Sequence, residues 1–330
     1  MGLLPGQPAG IELLPPTLVS SVLNSRPALI ATTALGPITW GTTYITTTEY
    51  LPADAPMLTG LLRALPAGLI LLSITRTLPR GDWWWKAAVL GTLNVGAFFP
   101  LLFIAAYRLP GGVAATVGAI QPLIVVAVAH LALGERATRL KIAAGVAGVL
   151  GVALLVLTPA AALDAIGIAA AVGGAIIMAV GVALTKAWGP SVPPLTLTAW
   201  QLTAGGIFLL PIAAIAGLPD APLTMTNVTG YLWLGLVGTV VAYSLWFRGI
   251  SRLEASVVSF LALLTSVSAA AIGWVALHQS LTPLQIVGGV LALGAVTAVG
   301  LASRGSTPAG PDSLARTEAP AVVPAPRLPS

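Results

Sequence analysis

The sequence LALGERATRLKIAAGVAGVLGVALLVL at residues 131–157 recurs in diverged form as VALHQSLTPLQIVGGVLALGAVTAVGL at residues 275–301. The two copies align without a gap, and the alignment extends back to Leu90 and Leu234, an offset of 144 residues. Matched leucines mean little in an apolar chain, but matched Gly, Thr and Arg in one register indicate an internal repeat. The matched pairs are Gly91 with Gly235, Arg108 with Arg252, Thr138 with Thr282, and Gly145 with Gly289. Such a repeat decides the architecture before any single motif is considered.

The composition of the 330-residue chain places most of it in a lipid bilayer. Hydrophobic residues make up 57% of the chain and charged residues 8%, whereas a soluble surface needs about 25% charged residues. Cys is absent, which excludes disulfides and Cys-based metal or thiolate chemistry. The basic residues lie between apolar segments rather than on one soluble face, so the net charge of +5 does not predict a nucleic-acid partner.

Ten apolar segments are long enough to cross a hydrocarbon core of about 30 Å as helices. They occupy residues 27–48, 56–75, 84–107, 112–133, 140–157, 165–187, 195–216, 228–250, 255–277 and 283–301. The sequence therefore predicts an all-α membrane protein with ten transmembrane helices, as two inverted five-helix repeats at residues 26–158 and 164–302. Residues 1–25 are predicted to be a disordered leader, and the Pro- and Ala-rich residues 303–330 a disordered cytoplasmic tail.

The charges at the segment ends predict the orientation of the chain. With the N-terminus inside the cell, every Lys and Arg at or beyond a segment end falls on the cytoplasmic side except Arg108. The positive-inside rule then places both termini in the cytoplasm, for a protein of the cytoplasmic membrane. Because five is an odd number of spans, the second repeat must enter the membrane the other way up. Accordingly, the charged loop at residues 134–141 corresponds to residues 278–285, which contain no Lys or Arg.

Several short motifs follow one another through the predicted segments. They are Trp40-Gly41, Pro56, Arg63, Gln121-Pro122, Leu133-Gly134-Glu135-Arg136 and Leu281-Thr282-Pro283-Leu284-Gln285. In this order, with a duplicated half, the chain resembles the EamA branch of the drug/metabolite transporter superfamily over about residues 27–302. The resemblance implies a ten-helix fold of two inverted five-helix bundles that exports or exchanges small metabolites by alternating access. The chain departs from the family pattern at Thr48, where Lys is frequent, at Ser266 in place of Pro, and at Gln279 in place of Glu.

Arg63 is the most informative single residue. It lies about two turns into the second segment, where a charged side chain costs about 2.5–3.5 kcal/mol on insertion scales. We therefore expect it to face a cavity or a partner. One interpretation is a contact to an anionic group of the substrate. The other, which the family resemblance favours, is a structural Arg that bonds backbone carbonyls at a helix interface or reaches toward the membrane surface.

Further candidates for substrate binding are polar or aromatic side chains within the segments. Besides Arg63 they are Trp40, Tyr44, Asn94, Gln121, Gln201, Tyr243 and Ser259. Arg63 and Gln201 correspond to each other at an offset of 138 residues in the earlier part of the repeats. Such pairs are favoured because transporters with inverted repeats bind substrate at the repeat interface. For each candidate alone, hydrogen bonding between helices is the alternative explanation.

These features favour a secondary transporter that exports or exchanges amino acids or similar metabolites, with a small-molecule substrate and the lipid bilayer as its partners. A multidrug exporter is one alternative, although cationic drugs usually require a deep acidic residue, which the segments lack. A membrane scaffold or receptor without transport is the alternative from another class. An enzyme is not predicted, because two His, no Cys and no deep acid pair offer neither a catalytic dyad nor a metal cluster. The sequence predicts no cofactor and no metal, and it makes no prediction of oligomeric state.

Overall fold

A computed structural model describes residues 25–52, 55–109, 116–156, 164–219, 221–276 and 281–302, apart from a few side chains that include Tyr44 and Thr48. Within these residues the chain is helical and contains no strand. The α-helices are α1 Arg26–Trp40, α2 Thr42–Tyr50, α3 Pro56–Thr75, α4 Trp83–Gly91, α5 Phe98–Arg108, α6 Gln121–Leu133, α7 Arg139–Val156, α8 Ala165–Trp188, α9 Pro194–Ala216, α10 Met225–Leu232, α11 Ala242–Arg252, α12 Ala255–Leu261, α13 Leu264–Ala276 and α14 Pro283–Ala302. The predicted leader, apart from Ser25, and the predicted tail lie outside the described residues.

Nine helical stretches in the described part of the chain are long and apolar enough to cross a membrane. They are Pro56–Thr75, Trp83–Leu102, Thr116–Leu133, Arg139–Val156, Ala165–Trp188, Pro194–Ala216, Met225–Arg252, Ala255–Ala276 and Pro283–Ala302. Each corresponds to one predicted segment, from the second to the tenth. Large apolar side chains cover their outer surface, such as Ile215 at 88% exposed, and a surface of this kind faces lipid. The chain is a multi-pass helical membrane protein.

The first predicted segment differs from the single helix expected at residues 27–48. It forms two consecutive helices, α1 of 15 residues and α2 of 9 residues, which meet at Gly41. At 1.5 Å per residue these are about 22 Å and 14 Å long, so neither crosses the hydrocarbon core alone. Pro37 lies inside α1 and cannot donate a main-chain hydrogen bond there. Gly41 allows close packing, because a Cβ at this position would lie 2.8 Å from the backbone N of Ala269.

Helices α3 and α9 form an extensive contact between the two halves of the chain. A Cβ on Gly68 would lie 2.5 Å from the backbone N of Thr203, and a Cβ on Gly206 would lie 2.7 Å from the Cα of Leu65. Residue numbers fall along α3 as they rise along α9, so the two helices are antiparallel. At the offset of 138 residues, Gly68 corresponds to Gly206 and Leu65 to Thr203, so each contact is the counterpart of the other.

Helices α7 and α14 pack in the same manner. Gly148 lies against Ala295, and a Cβ on Gly151 would lie 2.6 Å from the backbone N of Ala292. These helices are also antiparallel, because the numbers fall along one as they rise along the other. At the offset of 144 residues Gly148 corresponds to Ala292 and Gly151 to Ala295, so the repeat again maps one contact onto the other. Small residues permit this approach in lipid, where close packing replaces the hydrophobic effect.

Two π-helical segments interrupt corresponding spans of the two halves. Thr92–Gly96 joins α4 to α5, and Trp233–Val241 joins α10 to α11. At the offset of 144 residues, residues 92–96 correspond to residues 236–240. Hydrophobic periodicity did not predict these wider turns. They matter because π-helical turns are frequent at functional sites, and both segments reach the centre of the molecule.

Candidate functional site

A central cavity of about 650 Å³ lies between the two halves of the chain. This is within the range of small-molecule binding sites, about 300–1,000 Å³. Its wall is mainly apolar and aromatic, with a few polar groups. Its lining residues include Trp40, Arg63, Asn94, Phe99, Gln121, Met178, Tyr243, Trp246 and Phe247.

The lining of the cavity extends toward one end of the helix bundle. It includes Leu51 and Pro52, which follow α2, and Ala105 near the end of α5. It also includes Gly118, which precedes α6. We call this end the mouth. At the opposite end of the bundle, where α6 ends and α7 begins, no described residue lines the cavity. The described lining therefore belongs to the mouth and the centre of the bundle.

Arg63 lies in the cavity wall and is only 6% exposed. Its Nε donates to Thr239 Oγ1 at 3.1 Å, and its Nη2 donates to the carbonyl oxygen of Gly238 at 3.4 Å. The guanidinium carbon lies 5.3 Å from the centre of the Phe99 ring and 6.0 Å from that of Tyr243, within the range of cation–π attraction. Arg63 therefore bonds a backbone carbonyl at a helix interface, as one of the two interpretations expected, and it also lines the cavity. The contact to an anionic group of the substrate stays a prediction.

Three aromatic side chains form a group beside Arg63. The Trp40 ring lies 5.0 Å from Tyr243 and 5.1 Å from Trp246, centre to centre. Trp40 Nε1 also donates to the carbonyl oxygen of Gly238 at 2.9 Å. Gly238 thus accepts hydrogen bonds from both Trp40 and Arg63, which fixes the two side chains relative to each other. Tilted rings with a satisfied indole N–H give a rigid wall suited to a flat or apolar solute.

Asn94 forms a second buried polar group at the cavity wall. Its Nδ2 donates to Gln201 Oε1 at 2.6 Å and to Thr185 Oγ1 at 3.0 Å. Gly181 makes room for it, since a side chain at that position would collide with the Asn94 amide. Gln201 is fully buried behind Asn94 and is not itself among the residues that line the cavity.

The two polar groups correspond to each other through the repeat. Arg63 corresponds to Gln201 at an offset of 138 residues, and Asn94 corresponds to Gly238 at an offset of 144. Arg63 bonds Gly238, and Gln201 bonds Asn94. The sequence predicted the pair of Arg63 and Gln201, but Gly238 and Thr239 were not among the predicted residues. The offset of 144 residues, which relates Asn94 to Gly238, is the signal in the sequence that points to them.

A group of charged and hydroxyl side chains, which we call the charged cluster, lies at the end opposite the mouth. It consists of Glu135, Lys141, Glu254 and Ser256. Glu135 Oε1 accepts from the backbone N of Ala255 at 2.7 Å, and its Oε2 accepts from Ser256 Oγ at 2.8 Å. Lys141 Nζ lies 2.8 Å from Glu254 Oε2 and 3.9 Å from Glu135 Oε2. These bonds join the turn between α6 and α7 to the beginning of α12, so they connect the two halves of the chain.

The remaining candidates occupy different places. Gln121 lies half-buried in the cavity wall. Ser259 is fully buried, donates to the carbonyl oxygen of Ser256 at 2.7 Å, and is not among the lining residues. Tyr44 belongs to α2, and its side chain lies outside those that the structure describes. Among the described residues, no group of three or more His, Asp or Glu side chains could hold a metal ion.

Comparison with protein families gives two matches along the chain. Residues 10–157 and residues 165–301 each match the EamA-like transporter family. Protein PecM of Dickeya dadantii is 44% identical over 266 residues, which are 80% of this chain and 89% of that protein. A protein of Streptantibioticus cattleyicolor, named a probable terminal-alkyne amino-acid exporter, is 28% identical over 63% of this chain and 70% of its own length.

A solved crystal structure of a protein has the same fold. It superposes with a TM-score of 0.74 at 19% sequence identity, over 85% of this chain and 99% of that one. At this identity the likeness concerns the fold alone.

Proposed function

The chain belongs to the EamA-like transporter family, and we propose that it is a secondary transporter that exports or exchanges small metabolites, such as amino acids, across the cytoplasmic membrane by alternating access. The relative from Streptantibioticus cattleyicolor, named a probable terminal-alkyne amino-acid exporter, supports the proposal. The observation that carries the proposal is the central cavity, built from both repeats, whose described lining reaches the mouth and not the charged cluster.

The proposed architecture is ten spans in two inverted repeats. The antiparallel contacts of α3 with α9 and of α7 with α14 support it, because corresponding helices run in opposite directions only when one repeat is inverted. We infer that α1 and α2 together form the first span of the chain, which completes the ten, since residues 26–50 would reach about 37 Å as helix. The positive-inside rule then places the mouth outside the cell, and the charged cluster and both termini in the cytoplasm.

The proposed transport cycle alternates between two closures. With the mouth open and the charged cluster intact, the described arrangement corresponds to an outward-facing state. The inward-facing state requires the turn after α6 to separate from the beginning of α12, which breaks the bonds of Glu135 and Lys141. Rigid-body movement of one repeat against the other is the usual way in which such folds expose a central site to either side.

We propose that Trp40, Tyr44, Arg63, Asn94, Gln121 and Tyr243 contact the solute. Gln201 and Ser259 take a supporting role, because both are fully buried and neither is among the residues that line the cavity. A multidrug exporter is the weaker alternative. The described lining residues include Arg63 and no Asp or Glu, an arrangement that repels the cationic groups common in drugs.

A resistance screen tests the proposed function. The chain is overexpressed in a host sensitive to toxic amino-acid analogues, and the intracellular amount of each protective compound is measured. We expect protection against a subset of analogues, with lower intracellular accumulation than in cells that express Trp40→Ala at equal membrane abundance. Transport would be contradicted if protected cells accumulated the compound as fully as control cells.

A further inference from the structure

We propose that the solute bound in the central cavity carries a carboxylate that binds Arg63 and an apolar or aromatic body that packs against Trp40, Tyr243 and Phe99. This inference rests on the proposed transport function and names its substrate class.

The charge in the cavity wall is of one sign. Of the described residues that line the cavity, Arg63 alone carries a formal charge, and none is Asp, Glu, Lys or His. A cation buried at membrane depth is unfavourable unless an anion or strong acceptors offset its desolvation. A carboxylate carries the single negative charge that one Arg can balance. An ammonium group at the same place would be repelled by Arg63, and no Asp or Glu among the described lining residues would attract it.

The repeat places an uncharged residue at the position that corresponds to Arg63. Gln201 Oε1 accepts from Asn94 Nδ2 at 2.6 Å, whereas Arg63 Nη2 donates to the carbonyl oxygen of Gly238, the residue that corresponds to Asn94. A neutral amide therefore bonds the corresponding residue in the other half of the same molecule. Gln201 is not among the residues that line the cavity, whereas Arg63 is. Of these two corresponding positions, a solute in the cavity can reach only Arg63, and Arg63 is the charged one.

The protein orients the guanidinium without using all of its donors. Nε and Nη2 are bonded to Thr239 and Gly238, and the Phe99 and Tyr243 rings flank the group. A guanidinium has five N–H donors in a fixed plane. Within the described structure, Nη1 has no protein acceptor. A carboxylate that enters from the mouth can accept from the donors that remain, and a preset Arg loses little entropy on binding it.

The aromatic wall specifies the rest of the solute. Trp40 and Tyr243 stand beside Arg63 and face the same cavity. Tyr243 is 4% exposed and held against Trp40 and Phe247, so its ring presents a fixed apolar face. A flat or branched apolar group attached to the carboxylate would replace water at these faces. Small polar acids would leave the wall without a partner.

Binding of three matched probes to the purified full-length protein tests the inference. The probes are 3-phenylpropionate, 3-phenylpropionamide and 3-phenylpropylamine, which share one body and differ in the head group. At neutral pH the first is an anion, the second is neutral and the third is a cation. By titration calorimetry we expect the carboxylate to bind at least about tenfold more tightly than the amide, the scale of a charge-assisted hydrogen bond, and the amine to bind least.

Arg63→Gln is the variant that the repeat itself suggests, because Gln already occupies the corresponding position. We expect it to fold, to bind the amide about as well as the wild type does, and to lose the preference for the carboxylate. Arg80→Gln removes the same charge from an exposed position and should keep the preference. If Arg63→Gln fails to fold, Arg63→Lys replaces it and should still prefer the carboxylate over the amine.

The outcomes separate this inference from the proposed function. Equal affinities for the three probes, no detectable binding of the carboxylate, or an unchanged preference in Arg63→Gln would overturn the carboxylate requirement, even if the resistance screen establishes transport. A carboxylate preference that depends on Arg63, together with no movement of any solute, would leave the binding site in place and refute transport.

Discussion

The backbone carbonyl of Gly238 fixes the geometry of the cavity wall. It accepts hydrogen bonds from Trp40 Nε1 and from Arg63 Nη2, and it belongs to the π-helical segment Trp233–Val241. The wider π turn shifts the ladder of main-chain bonds, so that carbonyls in it can accept from side chains. Trp40 is the last residue of α1, directly before Gly41, where the first segment divides into two helices. One carbonyl therefore holds together residues from three parts of the sequence.

Two substitutions of Trp40 distinguish the contribution of its aromatic ring to transport from that of its N–H group. We expect Trp40→Ala to lower export at least about tenfold at equal membrane abundance, because it removes both the aromatic face and a buried hydrogen bond. Trp40→Phe keeps a ring and should give an intermediate rate. The control is Trp84→Ala, whose side chain is 59% exposed on the outer surface. Efflux from preloaded cells measures all three, and normal export by Trp40→Ala would remove this residue from the site.

The helices of two pairs, α3 with α9 and α7 with α14, pack closely against each other. Helices α3 and α9 approach through Gly68 and Gly206, and α7 and α14 through Gly151 and Gly288. In each pair the neighbouring atoms include backbone, which cannot move aside as a flexible side chain can. These contacts explain why small residues recur in segments that are otherwise Leu-, Val- and Ala-rich.

Two alanine substitutions on α14 test this packing. A Cβ on Gly288 would lie 2.5 Å from the carbonyl oxygen of Gly151 and 2.5 Å from the backbone N of Leu155. Gly288→Ala should therefore destabilise the protein by about 1–3 kcal/mol, the usual effect of overpacking. A Cβ on Gly294 meets nothing within 4 Å, so Gly294→Ala should be neutral or slightly stabilising. Thermal unfolding in detergent distinguishes them, and equal melting temperatures would contradict the close contact.

The charged cluster is the element whose separation we expect to open the cytoplasmic end. Lys141→Met removes the ion pairs with Glu254 and Glu135. The two neighbouring carboxylates then have one nearby cation fewer, which disfavours closure. Because the native chain has no Cys, Met178→Cys introduces a single thiol into the cavity wall. We expect an impermeant maleimide in inverted vesicles to label this thiol faster when Lys141→Met is present.

The matched control for the charged cluster is Arg139→Met, a neighbouring exposed cation outside the cluster. It should leave the labelling rate unchanged. If Lys141→Met labels no faster than Arg139→Met from the cytoplasmic side, the cluster does not hold the cavity closed.

At the scale of the whole molecule, the sequence predicted much of the helical framework. Long apolar segments specify membrane helices because unpaired backbone groups cannot remain in lipid. The division at Gly41 was missed although Pro37 and Gly41 are both visible in the sequence, because the segment was read as one continuous helix of sufficient length. The π-helical segments were missed because a main-chain register shift leaves no mark on hydrophobic periodicity. Arg63 was identified from its cost in lipid, but its partners Gly238 and Thr239 depend on tertiary contact.

The repeat explains both the symmetry of the framework and the asymmetry of the ends. Corresponding helices form contacts that are counterparts of one another, yet the charges differ. Glu135 corresponds to Gln279 and Lys141 to Gln285 at the offset of 144 residues, so the sequence that corresponds to the turn between α6 and α7 carries neither of these two charges. We infer that duplication gave the two ends of the cavity equivalent contacts that can close them. The charged cluster now distinguishes the contact at the cytoplasmic end.

Sidedness of the two corresponding turns tests this account most directly. Thr138→Cys and Thr282→Cys each place one thiol in a chain that has no other, before α7 and before α14. An impermeant maleimide applied to intact cells and to inverted vesicles reports the side of each. The account predicts that Thr282→Cys reacts only from outside the cell and Thr138→Cys only from the cytoplasmic side. Reaction of both thiols from the same side would contradict the inverted arrangement and the cavity proposed between the repeats.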